Sequence, residues 1–438
     1  MKITKGGKVS ELLRDVPIPN MFHARQCFPS GHISPEEIPS VVDRELSQEA
    51  FRSKIKPGMR IAVTAGSRGI RNVDIITKAI VDFVRRQGAE PFIVPAMGSH
   101  GGATAEGQLE ILASYGITPE SMGCPILSSM EVVELGQSSR GKTVYMDRNA
   151  YESDGIIISC RLKPHNAFRG KVESGPCKMM TVGLGKQKGA SLVHSDGMNH
   201  IAENIPTMAE VVLRSGKILF AIPCMENAYD ETIKLEAILP ENILEREAEL
   251  LKLAFQNMPS LLVQSCDVLV VDEIGKNYSG TGVDPNITGT FSTPYATGGI
   301  KVQRTAFLNL SEASHGNALG TGLASVITAK IFDEMDVEMM YPNCITSTVL
   351  ASARIPCVVA NDKEAIQMCV RTCNEIDMEH VRMVRIPNSL HIGEIMLSEA
   401  YYEDVCRGIY PSVEALDAPE KLLFDEEGEL LTRTIIHR

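Results

Sequence analysis

The chain lacks tryptophan, and only 5% of its 438 residues are aromatic. It also lacks any stretch near the roughly twenty consecutive apolar residues that a membrane helix needs. The N-terminal segment has no apolar core behind its lysines, so no secretory signal is predicted. Because 44% of the residues are hydrophobic and 22% are charged, the composition is that of a globular protein. These absences predict a cytoplasmic protein without a membrane partner.

An excess of positive charge and paired metal-binding cysteines are missing as well. The formal net charge of −12 argues against nucleic acid as a partner, because phosphate binding requires clustered lysine and arginine. The 11 cysteines are scattered singly, which indicates reduced thiols. Cys369 and Cys373 lie four residues apart, and we interpret them as small apolar residues on one helix face.

The first half of the chain alternates between strand and helix patterns. A β-branched run over 59–66 is followed by a helical pattern over 73–87, and a second strand over 91–95 precedes a helix over 104–115. A third buried strand, 155–159, leads into another loop. This alternation predicts a parallel sheet with ligand-binding loops at its carboxyl edge.

A domain boundary is expected near residue 260. Pro259 ends a charged amphipathic helix, and an apolar strand over 267–272 then opens a second α/β unit. A helix over 318–333 and a strand over 357–360 are expected later in this unit. The sequence therefore predicts the α/β class, with two α/β domains, 1–260 and 261–438, and mostly parallel sheets.

Three histidines lie on predicted loops or in glycine-rich stretches. His100 is flanked by glycines that allow a ligand to approach the backbone, His165 follows the third strand, and His194 lies in a Val-His-Ser stretch. A single histidine of this kind is more often a surface or structural residue than a catalytic one.

Two basic residues lie in sequence contexts that are typical of ligand binding or catalysis. Arg68 lies between a strand and a helix start, where a carboxylate or phosphate is favoured, although the pattern matches neither a phosphate-binding loop nor a dinucleotide fingerprint. A surface arginine beside a turn fits equally. Lys178 precedes an apolar, glycine-containing run that can desolvate its amine and make it nucleophilic. A lysine at the polar edge of a helix fits this position equally well.

In their order along the chain, His100, His165, Lys178 and His194 resemble the nickel-pincer-nucleotide lactate racemase family. His194 follows Lys178 by sixteen residues, as in that family. The resemblance implies that Lys178 anchors the cofactor, pyridinium-3,5-bisthiocarboxylic acid mononucleotide with nickel, and that His194 is the nickel ligand. It implies that His100 and His165 are the acid/base pair.

The loop of Ser67 and Arg68 resembles the family's Thr-Arg-Pro loop. The resemblance implies that Ser67 lies at the cofactor and that Arg68 binds the substrate carboxylate, with Lys276 also near the substrate. It further implies an active site in the cleft between the two domains. Two features depart from the family: Ala65 replaces an aspartate, and Lys178 lies thirteen positions after His165 where the family has a shorter stretch.

The predicted function is that of a racemase or epimerase that inverts C2 of a 2-hydroxy acid by hydride transfer to and from the cofactor. Its partners would be the small acid and the proteins that make the cofactor. Two alternatives remain: a zinc-dependent hydrolase that uses the same histidines, and a non-catalytic binder of a small acid or metallocofactor. The sequence indicates neither the side chain of the substrate nor the oligomeric state.

Overall fold

The computed structural model describes residues 3–67 and 70–435. These residues form two compact units, one made of residues 3–28 and 259–435 and the other of Pro29–Met258. The expected boundary near residue 260 lies beside this division. Residues 3–28, however, which were expected in the first domain, belong to the unit that contains the C-terminal half.

Secondary structure begins in the N-terminal segment, which contains α1 (Lys8–Leu13) and β1 (Met21–Gln26). The unit Pro29–Met258 contains α2 (Ile38–Leu46), α3 (Glu49–Arg52), β2 (Arg60–Ala65), α4 (Val73–Arg86), β3 (Glu90–Pro95), α5 (Ala105–Ser114), α6 (Pro119–Met122), β4 (Val132–Gln137), β5 (Thr143–Asp147), α7 (Arg148–Tyr151), β6 (Gly155–Arg161), α8 (Pro176–Lys178), α9 (Lys186–His194), α10 (Ile201–Arg214), β7 (Ile218–Glu226), β8 (Thr232–Leu235) and α11 (Ile243–Asn257).

The C-terminal part contains β9 (Ser265–Ile274), α12 (Pro285–Thr288), β10 (Lys301–Leu310), β11 (Val326–Thr328), α13 (Ala329–Glu334), α14 (Val337–Ser347), β12 (Cys357–Val359), α15 (Asp362–Thr372), β13 (Met383–Ile386), β14 (Glu394–Ser398), α16 (Tyr402–Cys406) and β15 (Val413–Ala415). In the part of the chain that the structure describes, no helix is both long enough and apolar enough to cross a membrane.

The unit Pro29–Met258 is built on a sheet with the strand order β3-β2-β6-β7-β8. The first four strands are parallel, with Val63 of β2 opposite both Ile93 and Ile157, and β8 pairs antiparallel with β7. Helix α4 packs on this sheet because Ile76, Ile80 and other apolar residues recur every three or four positions and are buried. The parallel arrangement places the loops after β3, β2 and β6 side by side at one edge.

The other unit contains a sheet with the order β12-β11-β10-β9-β13-β14-β1-β15. Its strands from β12 to β13 are parallel, and β14, β1 and β15 continue the sheet antiparallel. Strand β1 pairs with β14 and β15, which explains why the N-terminal segment joins this unit. Leu269 and Val271 of β9 face one apolar cluster while Val268 and Val270 face another, so both faces of the sheet are covered. The fold is thus α/β with two units and mostly parallel sheets, as predicted.

The expected helix over 318–333 is wrong. Its first part is a loop with a short 3-10 turn at Thr321–Leu323, its middle is β11, and only Ala329–Glu334 is α-helical. Gly320 has φ of +113°, a conformation that a helix cannot contain. The β-branched run Val326-Ile327-Thr328 instead pairs with β10 and β12 in the sheet core.

Candidate functional site

Three neighbouring strands of the five-stranded sheet deliver predicted site residues at their carboxyl ends. Ser67 lies two residues after β2, His100 lies in the loop after β3, and His165 lies in the loop after β6. Since β2 lies between β3 and β6, these loops are adjacent. Arg68 falls outside the described residues, so its predicted role stays a prediction.

Ser67 and His100 are in direct contact. The Ser67 hydroxyl is hydrogen-bonded to Nδ1 of His100. The Tyr115 hydroxyl donates to the Ser67 carbonyl at 2.9 Å, and the side-chain amide of Gln108 donates to the His100 carbonyl at 3.2 Å. The contact between Ser67 and His100 therefore joins the loops after β2 and β3, and α5 supports both loops through Tyr115 and Gln108. The His100 residue itself remains exposed.

The loop that carries His165 is held by a buried carboxylate. Glu173 accepts the His165 N–H at 2.6 Å and the Gly170 N–H at 3.3 Å, and burial raises the pKa of its carboxyl. The Ala167 N–H donates to Nδ1 of the His165 ring at 3.1 Å. Because Nδ1 accepts this bond, the neutral ring carries its proton on Nε2.

Lys178 and His194 lie at the two ends of an interrupted helix. Lys178 ends α8, a π-helical turn follows at Met179–Gly183, and His194 is the last residue of α9. π-Helical turns are frequent at functional sites. A π-helical turn changes the direction in which successive side chains project. The side chains of Lys178 and His194, sixteen positions apart, are therefore oriented differently from two such residues on a continuous helix.

The structure brings His165, Lys178 and His194 together. Burial, with smaller contributions from Lys178 and His194, holds the pKa of His165 well below its usual value. Burial, with a contribution from Lys178, lowers the pKa of His194 to about 4. Within the described part of the chain, Nδ1 of His194 is buried without a hydrogen-bond partner. Both imidazoles are therefore neutral near pH 7, which is the form that binds metals and accepts protons.

The loops after β2 and β3 pack closely against the π-helical turn. Gly98, with φ of +59°, donates its N–H to the Gly183 carbonyl at 3.2 Å. A Cβ on Gly183 would lie 2.7 Å from the Ala96 carbonyl oxygen, so only glycine permits this approach. A Cβ on Gly66 would lie 3.2 Å from the end of the Met179 side chain. The Ser67 and His100 pair is thus adjacent to the turn that follows Lys178.

The surroundings of His165 are cationic. Besides Lys178, the charges of Lys163 and Arg169 lower its pKa. Glu173 offsets part of this charge through Arg169, whose Nη1 lies 3.4 Å from the Glu173 carboxylate. Positive charge around partly buried groups favours an anionic ligand such as a carboxylate or phosphate.

Comparison with known proteins gives a family for this part of the chain. Residues 15–204 match the family model of the lactate racemase N-terminal domain. This segment, which is less than half of the chain, is therefore similar to the lactate racemase N-terminal domain. No curated protein matches the chain.

Two solved structures are similar to large parts of the chain. One is a lactate racemase apoprotein from Thermoanaerobacterium thermosaccharolyticum, with 12% identity and a TM-score of 0.46, covering 79% of this chain and 80% of that one. The other is a protein from Thermotoga maritima, with 14% identity and a TM-score of 0.45, covering 64% of this chain and 72% of that one.

The family segment contains a lysine that sequence reasoning missed. Lys186, the first residue of α9, is fully buried and forms an ion pair with the equally buried Asp147 at 3.2 Å. Burial lowers the pKa of the Lys186 amine, and Asp147 opposes this effect. A charged residue among glycines gave no sign of burial in the sequence.

Glu247, which lies beyond the family segment, was also missed. It is buried on α11, accepts the Cys177 N–H at 2.8 Å, and thereby holds the residue that precedes Lys178. Burial raises its pKa to about 7. In the sequence it is one of several glutamates in a charged helix, so only its position on the buried face could have identified it.

Lys276, the predicted substrate-binding residue of the other unit, lies in the loop after β9. Its backbone N–H donates to the Ser314 hydroxyl at 2.9 Å, and its amine donates to the Gly280 carbonyl at 2.6 Å. Among the described residues, no group of three or more His, Cys, Asp or Glu side chains is arranged to hold a metal ion.

Proposed function

We propose that the chain is a racemase or epimerase that inverts C2 of a 2-hydroxy acid with a nickel-pincer nucleotide. The observation that carries the proposal is the convergence of His165, Lys178 and His194 at one sheet edge, with the lysine and the second histidine on one interrupted helix. The family match of residues 15–204 supports an isomerase of this class.

The residues present fit the cofactor. Nδ1 of His194 is buried and has no partner within the described residues, so a neutral imidazole is available to one metal coordination position. Sulfur and carbon donors with one imidazole suit nickel. The nearby positive charges suit the phosphate and thiocarboxylate groups. In this proposal His194 holds the metal, the Lys178 amine anchors the pyridinium ring through a thioamide, and Ser67 borders the nucleotide.

When bound, the cofactor supplies the hydride acceptor and donor for C2. The chain's own residues must move the hydroxyl proton and orient the acid. Arg68 and Lys276 are proposed to bind the substrate carboxylate, which a guanidinium can hold in two parallel hydrogen bonds.

The two acid/base histidines are not equivalent. The neutral ring of His165 carries its proton on Nε2, since Nδ1 accepts the Ala167 N–H. His100 is exposed and contacts a hydroxyl group instead. We therefore assign the removal of the hydroxyl proton first to His100, which can exchange that proton with water. For the opposite enantiomer of the substrate, His165 removes the hydroxyl proton. It can do so only after its own ring proton moves from Nε2 to Nδ1.

The test is to produce the protein together with the cofactor's biosynthetic enzymes and to measure nickel, the absorption spectrum and the mass of the peptide containing Lys178. Enantiopure 2-hydroxy acids are then supplied, and the opposite enantiomer is sought by chiral chromatography. The matched control is the protein made without those enzymes. Nickel, an adduct on Lys178 and racemisation of at least one acid are expected.

The other outcomes separate the alternatives. Nickel without an adduct would retain the class and make the attachment non-covalent. Zinc without nickel would favour a hydrolase. Cofactor retention without turnover of any acid would favour a binding protein and would contradict the proposed enzyme activity.

A further inference from the structure

The side chain of Lys186 is buried at the interruption between the π-helical turn and α9. Its accessible fraction is 0%, and its backbone has φ of +53°, a left-handed conformation that residues other than glycine rarely adopt. Such conformations persist where the surrounding structure fixes them, and they concentrate at functional sites.

The Lys186 ammonium group has two hydrogen-bond acceptors and one ion-pair partner. Its Nζ donates to the Pro95 carbonyl at 2.5 Å and to the side-chain oxygen of Gln108 at 3.0 Å, and it lies 3.2 Å from a carboxylate oxygen of Asp147. Pro95 ends β3, and Asp147 ends β5, where its backbone N–H donates to the Leu184 carbonyl. One side chain therefore ties the interrupted helix to two strand ends.

Gln108 extends this connection to His100. Its side chain is fully buried, and its Nε2 donates to the Gly98 carbonyl at 3.1 Å and to the His100 carbonyl at 3.2 Å. The side-chain oxygen of the same amide accepts from Lys186. The path from α9 to the backbone of His100 thus consists of two buried side chains.

We propose that Lys186 and Gln108 are positioning residues that fix the His100 loop against the helix segment between Lys178 and His194. Neither residue is assigned a contact with substrate or cofactor. They act through the backbone of Gly98 and His100, so that the acid/base group keeps one distance from the cofactor anchor. The catalytic consequence rests on the proposed function, whereas the structural consequence does not.

A charged group suits this position for a geometric reason. The partners are a backbone carbonyl and an amide oxygen, which accept hydrogen bonds, and a carboxylate, which pairs with the positive charge; an ammonium group serves all three at once. A hydroxyl group has one proton and could satisfy only one of them. The buried ion pair is therefore a device for orientation, since such pairs contribute little net stability but are sensitive to loss of a partner.

Two variants remove the connection in different ways. Gln108→Met keeps the volume of the side chain and removes its donors and acceptor. The double variant Lys186→Met with Asp147→Asn removes the ammonium group without leaving an unpaired carboxylate. Gln367→Met is the matched control, because Gln367 is a buried glutamine of the other unit whose Nε2 donates to the carbonyls of Arg14 and Val16.

The first measurement is amide hydrogen exchange of the full-length, metal-free protein. We expect exchange in residues 98–101 to accelerate at least about tenfold in both variants, while the amides of β2 keep their protection and Gln367→Met leaves residues 98–101 unchanged. Unchanged exchange of the His100 loop in two folded variants would overturn the proposal.

The second measurement uses protein loaded with nickel and cofactor. Because His194 and Lys178 are intact, nickel content and the adduct should match the unsubstituted protein. We expect kcat to fall on the order of 100-fold with a smaller change in KM, since a displacement of about 1 Å has such an effect. An unchanged kcat in active enzyme would overturn the catalytic consequence. If the unsubstituted protein turns over no acid, the proposed function fails and hydrogen exchange alone decides the positioning role.

Discussion

The two units present carboxyl sheet edges of different chemical character. At the edge of the five-stranded sheet, His165 and His194 are half-buried beside Lys178, and desolvation lowers both imidazole pKa values. At the edge of the eight-stranded sheet, the loop after β9 is bonded to the loop after β10, with the Ser311 hydroxyl donating to Asn277 at 2.6 Å. The first edge holds ionisable groups in an environment that opposes their charge, whereas the second satisfies hydroxyl and amide groups locally.

This difference indicates where chemistry is expected. Burying an ionisable side chain where its charged form is disfavoured costs stability. Such burial is typical of sites where a neutral imidazole or a desolvated amine takes part in catalysis or binding. A loop whose polar groups bond to each other provides shape and a few donors for a ligand. The same type of sheet edge is thus compatible with a reactive site in one unit and an ordered binding loop in the other.

The largest expected effect is loss of metal from the first edge. Replacing His194 by Ala removes the imidazole whose buried Nδ1 is proposed to bind nickel, so nickel retention should be abolished in protein produced with the cofactor enzymes. Metal analysis by mass spectrometry measures this. His200→Ala is the control, because His200 is a neighbouring histidine at the N-cap of α10 whose ring is hydrogen-bonded to Arg140 at 3.0 Å. A full complement of nickel in His194→Ala would show that the ligand assignment is wrong.

Removal of the exposed histidine should separate turnover from metal binding. We expect His100→Ala to retain nickel and the Lys178 adduct while kcat falls by about 10² to 10⁴, the range for loss of a general acid or base. His32→Ala, which removes a histidine on the surface of the same unit, should leave both unchanged. Equal activity of His100→Ala and the unsubstituted enzyme would contradict the acid/base assignment.

A buried ion pair in one unit and an exposed ion pair in the other should differ in how much they contribute to the stability of the unit. Lys186→Met leaves Asp147 buried without its partner and should lower the free energy of unfolding of its unit by about 3 to 5 kcal/mol. Arg407 of the other unit pairs with Glu403 at 2.9 Å, and both side chains are exposed, so Arg407→Met should cost about 1 kcal/mol or less. Urea unfolding with a probe in each unit measures both. Similar losses of unfolding free energy in the two variants would contradict the expected difference between the buried and the exposed ion pair.

The unit with the histidines should be the more acid-sensitive one. The folded-state pKa of His194 is about 4, below the ordinary value of 6.5, so the unfolded state binds more protons between these values. Its contribution to stability is complete above pH 6.5 and is lost as the pH falls toward 4. The shift corresponds to about 3 kcal/mol, and His165 acts in the same direction. Urea midpoints from pH 7.5 to 4.5 measure this. In His194→Leu the urea midpoint should depend less strongly on pH than in the unsubstituted protein. An equal dependence in the two proteins would exclude His194 as the source of the acid sensitivity.

Much of the fold followed from local pattern. The strands around Val63 and Ile157 were predicted because their apolar runs end in glycine or at a loop, and alternation with helices implied parallel pairing. The pattern failed at 318–333, where apolar residues spaced like a helix include the strand Val326–Thr328. Pairing with strands distant in sequence decided that segment, and periodicity over a short window does not contain this information.

The candidate site divides in the same way. The order and loop positions of His100, His165, Lys178 and His194 could be read from the sequence. The partners Gln108 and Glu247 could not, because they lie on helices whose polar residues look alike until one face is buried. Their roles depend on hydrogen bonds to backbone atoms far along the chain, such as the Cys177 N–H.

The sequence by itself determined the α/β class, the order of the reactive residues and the loops that carry them, because strand ends and glycine positions are local properties. Only the tertiary structure decided the membership of residues 3–28, the meeting of His165 with His194 and the buried pair of Lys186 and Asp147. These features arise from pairing and burial between distant segments. Burial then sets the charge state of each group, since the cost of desolvation depends on everything packed around it.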